Sequence, residues 1–256
     1  MSKREVIRMD QEMIIGKNPV IEALKSGRSV NKVFVLEHLN ANTQGKLYQL
    51  SKEAGTIMQK VPKSKLDQLS EGENHQGVIA YVASYQYASL EDLFDKAAEK
   101  KEEPFFIILD ELEDPHNLGS ILRTADATGA HGVIIPKRRS VGLTATVAKT
   151  AAGAMEHIPV ARVTNIANTI DELKERNVWV VGTEGEATED YRTLDGAIPI
   201  ALVIGNEGKG MSRLVGKKCD WTVRLPMRGN VSSLNASVAC SLLLYEVYRK
   251  RFPIGN

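Results

Sequence analysis

Only two cysteines occur in the 256 residues, Cys219 and Cys240. Two thiols cannot build a disulfide framework or a cysteine-rich zinc site. Cys240 lies in an apolar run and reads as a small buried hydrophobe. Net charge is equally scarce, with 33 Lys+Arg against 32 Asp+Glu, a balance of +1. A chain so balanced is no polybasic binder held to nucleic acid by bulk electrostatics. No run approaches the roughly 18 apolar residues of a membrane span. Residues 1–8 have no apolar core of the kind a secretory signal needs. These absences leave a soluble cytoplasmic protein in a reducing compartment as the expectation. What remains, 43% hydrophobic and 25% charged residues, suits a globular fold and not a disordered chain.

The apolar pattern divides the chain. Residues 1–12 are charged and read as a flexible N-terminus. Residues 13–87 alternate short strands and helices. Asn31–Leu36 and Gly77–Ala83 are strand-like, and Leu47–Ala54 reads as a helix that stops at Gly55. Residues 88–103 hold six acidic residues and three lysines and read as an acidic linker or polar helix. Residues 104–251 form a second α/β unit, and 252–256 a tail. Its apolar runs fall at Phe105–Leu109, Gly132–Ile135, Ile158–Val163, Val178–Val181, Ile200–Ile204 and Trp221–Leu225. Continuous apolar strands between helices predict a parallel sheet covered on both faces. Ligands on such sheets sit in the loops beyond the strands' carboxyl ends.

Three of those loops carry unusual residues. After the first run comes Asp110 to Ala125, where a helix is expected to start near Asn117 as its cap. Leu118, Ile121, Leu122 and Ala125 make one apolar face, and Arg123 falls off it, free to project into a cleft. Alone, Arg123 would be an ordinary surface residue, and Asp114-Pro115-His116 ordinary turn chemistry. The second loop is Gly205-Asn206-Glu207-Gly208-Lys209-Gly210. Its glycines permit positive φ and close approach to a ligand. It fails as a Walker phosphate loop, because Met211 occupies the position of the required Lys, although Ser212 stands at that of the Ser/Thr. That weakens a nucleotide-hydrolase reading. The third loop runs from Pro226 to Ser237, with Ser232 or Ser233 expected to cap a helix beginning near Leu234. From Ala236 to Tyr248 that helix carries one charge, Glu246. A helix apolar nearly all round is buried on every side, which suggests a subunit interface.

Together, Asn-x-Gly-x-x-x-Arg-Thr-Ala at Asn117–Ala125, Ile-Gly-Asn-Glu-Gly-x-Gly at Ile204–Gly210 and Leu-Pro-Met-x-Gly-x-x-x-Ser-Leu-Asn-x-Ser at Leu225–Ser237 resemble the three motifs of the SpoU (TrmH) ribose 2′-O-methyltransferases of the SPOUT class. The segment with Gly16-Lys17-Asn18-Pro19-Val20 and His75-Gln76-Gly77 resembles the small substrate-binding domain of the bacterial 23S rRNA guanosine 2′-O-methyltransferase subgroup. The resemblance implies a parallel-sheet SPOUT domain with a C-terminal trefoil knot, preceded by a small α/β (L30e-like) RNA-binding domain. It implies S-adenosylmethionine as cofactor, held by Thr183, Gly185, Ile204, Gly205, Gly208, Leu225, Met227, Ser233 and Leu234, and no metal. It implies a catalytic set of Arg123, Asn117, Glu207, Ser233 and Asn235. The implied partners are 23S rRNA, or its precursor in the assembling large subunit, and a second copy docked through the knot and C-terminal helix. A tRNA substrate, or an inert RNA-binding assembly factor, are the competing readings.

Charge is unevenly spread. Residues 1–87 carry a net +3, residues 88–103 a net −3 and the remainder a net +1. RNA recognition is therefore expected from local patches, shape and the 2′-hydroxyl.

Overall fold

The computed structural model describes residues 12–26, 28–82 and 86–255. The expected flexible N-terminus lies almost wholly outside them. The chain separates into two units, one taking residues up to 86 with Gly142–Ala145, the other Tyr87–Val141 and Thr146 onward.

The first unit is built on β1 (Glu12–Ile15), α1 (Lys17–Lys25), β2 (Val30–Leu36), α2 (Ala41–Glu53), β3 (Ile57–Val61), α3 (Lys63–Ser70) and β4 (Val78–Val82). Its sheet runs β1-β4-β2-β3, parallel only between β2 and β3. Alternation along β2 sends Val33 and Val35 toward α1 and α2 and Phe34 toward α3, so both faces carry a core. His75 accepts the Gly77 N–H at Nδ1 (2.9 Å), which leaves Nε2–H to donate to Asp67 (2.9 Å). The His75-Gln76-Gly77 turn is thereby tied to α3.

The second unit follows with α4 (Leu90–Lys100), β5 (Phe105–Leu109), α5 (Pro115–Ala127), β6 (Gly132–Pro136), α6 (Ala145–Ala151), β7 (Val160–Val163), α7 (Ile166–Glu175), β8 (Trp179–Thr183), β9 (Glu189–Asp190), β10 (Ile200–Ile204), α8 (Arg213–Lys218), β11 (Trp221–Arg224) and α9 (Ala236–Arg251). Seven strands, ordered β7-β6-β5-β10-β8-β11-β9, pair in parallel throughout. Five residues of β5 and five of β10 are all buried, as a sheet covered on both faces requires. One face packs Leu93 of α4, Ile170 and Leu173 of α7 and Val215 of α8 against Phe106, Ile108, Ala201 and Val203. On the other, α5 packs on α9 and α9 on β10.

Residues 88–103 are not a linker. Ser89 and Asp92 form a capping box, and Leu93 and Ala97 are buried in the second unit's core. Leu90, Leu93, Phe94 and Ala97 give α4 an i, i+3, i+4, i+7 stripe that outweighs its charged exterior. The second unit therefore begins near Tyr87 rather than Pro104.

The basic cluster at the C-terminus is also structural. Arg251 donates to the carbonyls of Glu103, Pro104, Gly196 and Ile198. Arg249 is paired with Glu246 at 2.7 Å. No helix among the described residues is long and apolar enough to cross a membrane.

Candidate active site

The loops after β5, β8, β10 and β11 leave the sheet side by side, near where strand order reverses. Polar contacts fix them to one another. Asp110, nearly fully buried, accepts the Ser212 N–H at 2.7 Å. Asn206 donates to the Glu111 carbonyl at 3.0 Å and accepts the Gly208 N–H at 2.9 Å. Asn206 and Gly210 exchange two backbone bonds, closing the loop into a tight turn. A Cβ on Gly205 would overlap the backbone of Gly210 and Met211, so the turn closes only over glycine. Close approach, rather than positive φ, is the demand at Gly205, since only Gly210 in this loop has positive φ (67°).

Between these loops lies a cleft of about 270 Å³. Eight of the nine expected cofactor residues line it: Thr183, Gly185, Ile204, Gly205, Leu225, Met227, Ser233 and Leu234. Gly208 does not; it is exposed and serves the turn instead. The wall missed by sequence reasoning comes from α9, where Ala236, Ala239 and Leu243 face the cleft at i, i+3, i+7. The two alanines on one helical face were its signal. The lining holds two carboxylates, Glu184 and Glu207, and neither Lys nor Arg. Behind the cleft, Cys219 packs at Gly182, and burial pushes its thiol up to about 12, so it stays protonated.

A polar cluster stands at the rim. Oε1 of Glu207 accepts from Asn117 Nδ2 (2.7 Å), Asn235 Nδ2 (2.5 Å) and the Ala236 N–H (3.1 Å). Asn235 Nδ2 also donates to Asn117 Oδ1 (2.9 Å). Three motifs distant in sequence thus meet on one carboxylate.

Two helix starts differ from expectation. α5 is capped by Asp114, whose side chain accepts the His116 N–H at 2.8 Å, with Pro115 as first helical residue. Asn117 is a buried residue of the first turn, free to reach Glu207. α9 is capped by Asn235, which accepts the Ser237 and Val238 N–H groups, and not by Ser232 or Ser233. Gly119 of the first motif lets α5 approach α6, since a Cβ there would lie 2.5 Å from Thr150 Cβ.

Arg123 stands apart. It is exposed, as its place off the apolar face predicts, but neither lines the cleft nor joins the cluster. Its neighbour Thr124 meets Ser241 of α9 at 3.0 Å. α9 itself is not buried all round. Cys240, Leu243, Leu244 and Val247 are buried, whereas Val238, Leu242, Tyr245 and Tyr248 form an exposed apolar stripe.

Residues 104–245 match the SpoU rRNA Methylase family, and residues 13–88 the RNA 2′-O ribose methyltransferase substrate binding domain. A Bacillus subtilis protein named to the TrmH family of tRNA/rRNA methyltransferases is 61% identical, over 96% of this chain and 98% of its own. A Staphylococcus aureus protein of the same naming is 53% identical over 97% and 100%. Among solved structures, the SpoU methyltransferase AviRb from Streptomyces viridochromogenes, in complex with the cofactor AdoMet, superposes with a TM-score of 0.60 at 27% identity, covering 98% and 94%. An AdoMet-bound rRNA methyltransferase from Sinorhizobium meliloti gives 0.58 at 25%, covering 97% and 90%.

Proposed function

Because the chain belongs to the SpoU rRNA Methylase family, we propose that it methylates the ribose 2′-hydroxyl of a guanosine in 23S rRNA, with S-adenosylmethionine as donor. The observation that carries this is the meeting of the donor cleft and the polar cluster on one residue, Glu207, which belongs to both.

The cleft suits this cofactor. Its floor of Ile204, Val223, Leu225, Leu234 and Leu243 is apolar, fit for an adenine ring, while backbone at Gly185 and Gly205 lies open to polar contact. Its charged groups are carboxylates, which favour a sulfonium cation and disfavour a triphosphate. Thr183, Gly185, Ile204, Gly205, Leu225, Met227, Ser233 and Leu234 would hold it, with Gly208 acting through the loop turn. When bound, S-adenosylmethionine supplies an electrophilic methyl group on sulfur.

The remaining work falls to the protein's own residues. Asn117, Glu207 and Asn235 form a pre-ordered set of donors and acceptors to orient the ribose, with Ser233 on the adjoining wall. Arg123 offers a planar fork of N–H donors that matches a phosphate. It orients an RNA phosphate and stabilises the negative charge that develops as the 2′-hydroxyl gives up its proton. Within one chain Arg123 neither lines the cleft nor bonds to the cluster. The bond of its neighbour Thr124 to Ser241 of α9 supports a homodimer formed on the exposed stripe of that helix, which would carry Arg123 to the interface. The protein acts in the cytoplasm.

The relatives' naming covers tRNA as well as rRNA, so the same chemistry on tRNA is the second reading. Mass-spectrometric mapping of ribose methylation in rRNA and tRNA from a deletion strain separates them. The expected result is loss of one 2′-O-methylguanosine from 23S rRNA. Intact rRNA and tRNA maps would overturn the enzymatic assignment. Arg123→Ala is expected to abolish methyl transfer while calorimetric binding of S-adenosylmethionine persists.

A further inference from the structure

Beside the donor cleft lies a second groove, about 540 Å³, which shares Thr183, Glu184, Gly185 and Gly210 with it. Its character is opposite. Lys209, Arg213 and Lys217 line it, against one carboxylate, Glu184. All three cations are exposed, and none is ion-paired among the described residues. That is not the habit of this region. Lys218, the next residue of α8, is paired with Asp171 at 2.5 Å, and Lys174 with Asp220 at 2.7 Å. Arg213 and Lys217 also stand i, i+4 on α8, where like charges repel and an anion between them would relieve the cost.

We infer that this groove is a phosphate-backbone subsite for the RNA strand that carries the target nucleotide. The subsite rests on the RNA substrate proposed for the cleft and adds where the strand runs. One loop, Thr183–Gly185, separates a cation-free cleft from a cation-lined groove. A strand whose ribose faces the first places flanking phosphates along the second. Phosphate contacts of this kind fix position and register without reading sequence.

The test is salt-dependent RNA binding by the full-length protein. A 23S rRNA fragment and a tRNA transcript are titrated between about 50 and 200 mM salt. The triple variant Lys209→Gln, Arg213→Gln, Lys217→Gln should bind about tenfold more weakly at the low end. Its log–log salt slope should be shallower by about 2, at roughly 0.7 for each phosphate no longer neutralised. The charge-keeping triple Lys209→Arg, Arg213→Lys, Lys217→Arg should keep the original slope. S-adenosylmethionine affinity should be unchanged in both, which reports an intact fold. An unchanged slope in the neutral triple overturns the groove alone, as does equal weakening in the charge-keeping triple. A wild-type protein that binds neither RNA overturns the functional reading, and the groove with it.

Discussion

Glu207 gathers three hydrogen bonds on one oxygen, and each comes from a different kind of donor: a side chain of a first helical turn, a helix cap and a backbone amide. Such a carboxylate holds geometry more than it stores energy. Glu207→Gln should therefore fold normally yet lose on the order of 10² in methyl-transfer rate, the usual cost of small misplacement. Turnover within threefold of wild type would show that the cluster does not position substrate. His131 supports a prediction of another kind. It is fully buried; Nδ1 accepts the Phe105 N–H and Nε2 faces Glu102. Burial lowers its pKa to about 4, against the opposing pull of Glu102. The folded ring is neutral where an unfolded histidine, near 6.5, takes up a proton. Stability is thus complete above about pH 6.5 and declines as pH falls toward about 4, the unfolded chain binding the extra proton. Denaturant midpoints at pH 7 and 4.5 should show a smaller decline for His131→Gln than for wild type. At this scale the sequence told which residues come together better than which bonds each one makes. Asn117, Glu207 and Asn235 were legible from the motifs. The exchange of capping and site duties among Asp114, Asn117, Ser233 and Asn235 was not, because several good caps crowd each helix start and only backbone geometry selects one.

α9 and α4 show why element boundaries and faces were harder to read. In α9, apolar residues run around the whole circumference, so periodicity cannot separate the buried Cys240, Leu244 and Val247 from the exposed Val238, Leu242 and Tyr245. In α4 the reverse holds, since a dense charge pattern conceals a short apolar stripe. β5 and β10 were plain, because both faces of each are covered and no polar residue interrupts them. The exposed stripe of α9 yields an element-scale prediction. Leu242→Glu places a charge at the centre of the face proposed to dimerise, and light scattering at micromolar concentration should turn from dimer to monomer. A dimer that persists would move the interface elsewhere.

The whole molecule holds separate cores in its two units, each with its own sheet. Denaturation followed by calorimetry should resolve two transitions instead of one. S-adenosylmethionine should raise only that of the second unit, by about 2.7 kcal/mol at a hundredfold excess over Kd. A single transition, shifted as one, would contradict two independent cores. The order of the second sheet has a consequence in time. β10 lies between β5 and β8, pairing Ile204 with Leu109 and Leu202 with Val181, although both neighbours precede it in the chain. Neither neighbour can pair with the other and remain native. As the chain grows, β5 and β8 have no native pairing with each other until β10 has been made. Non-local parallel pairing of this kind is slow. The loop that carries Glu207 therefore reaches its place only after the centre of the sheet has closed, and no partly made chain can hold an assembled site.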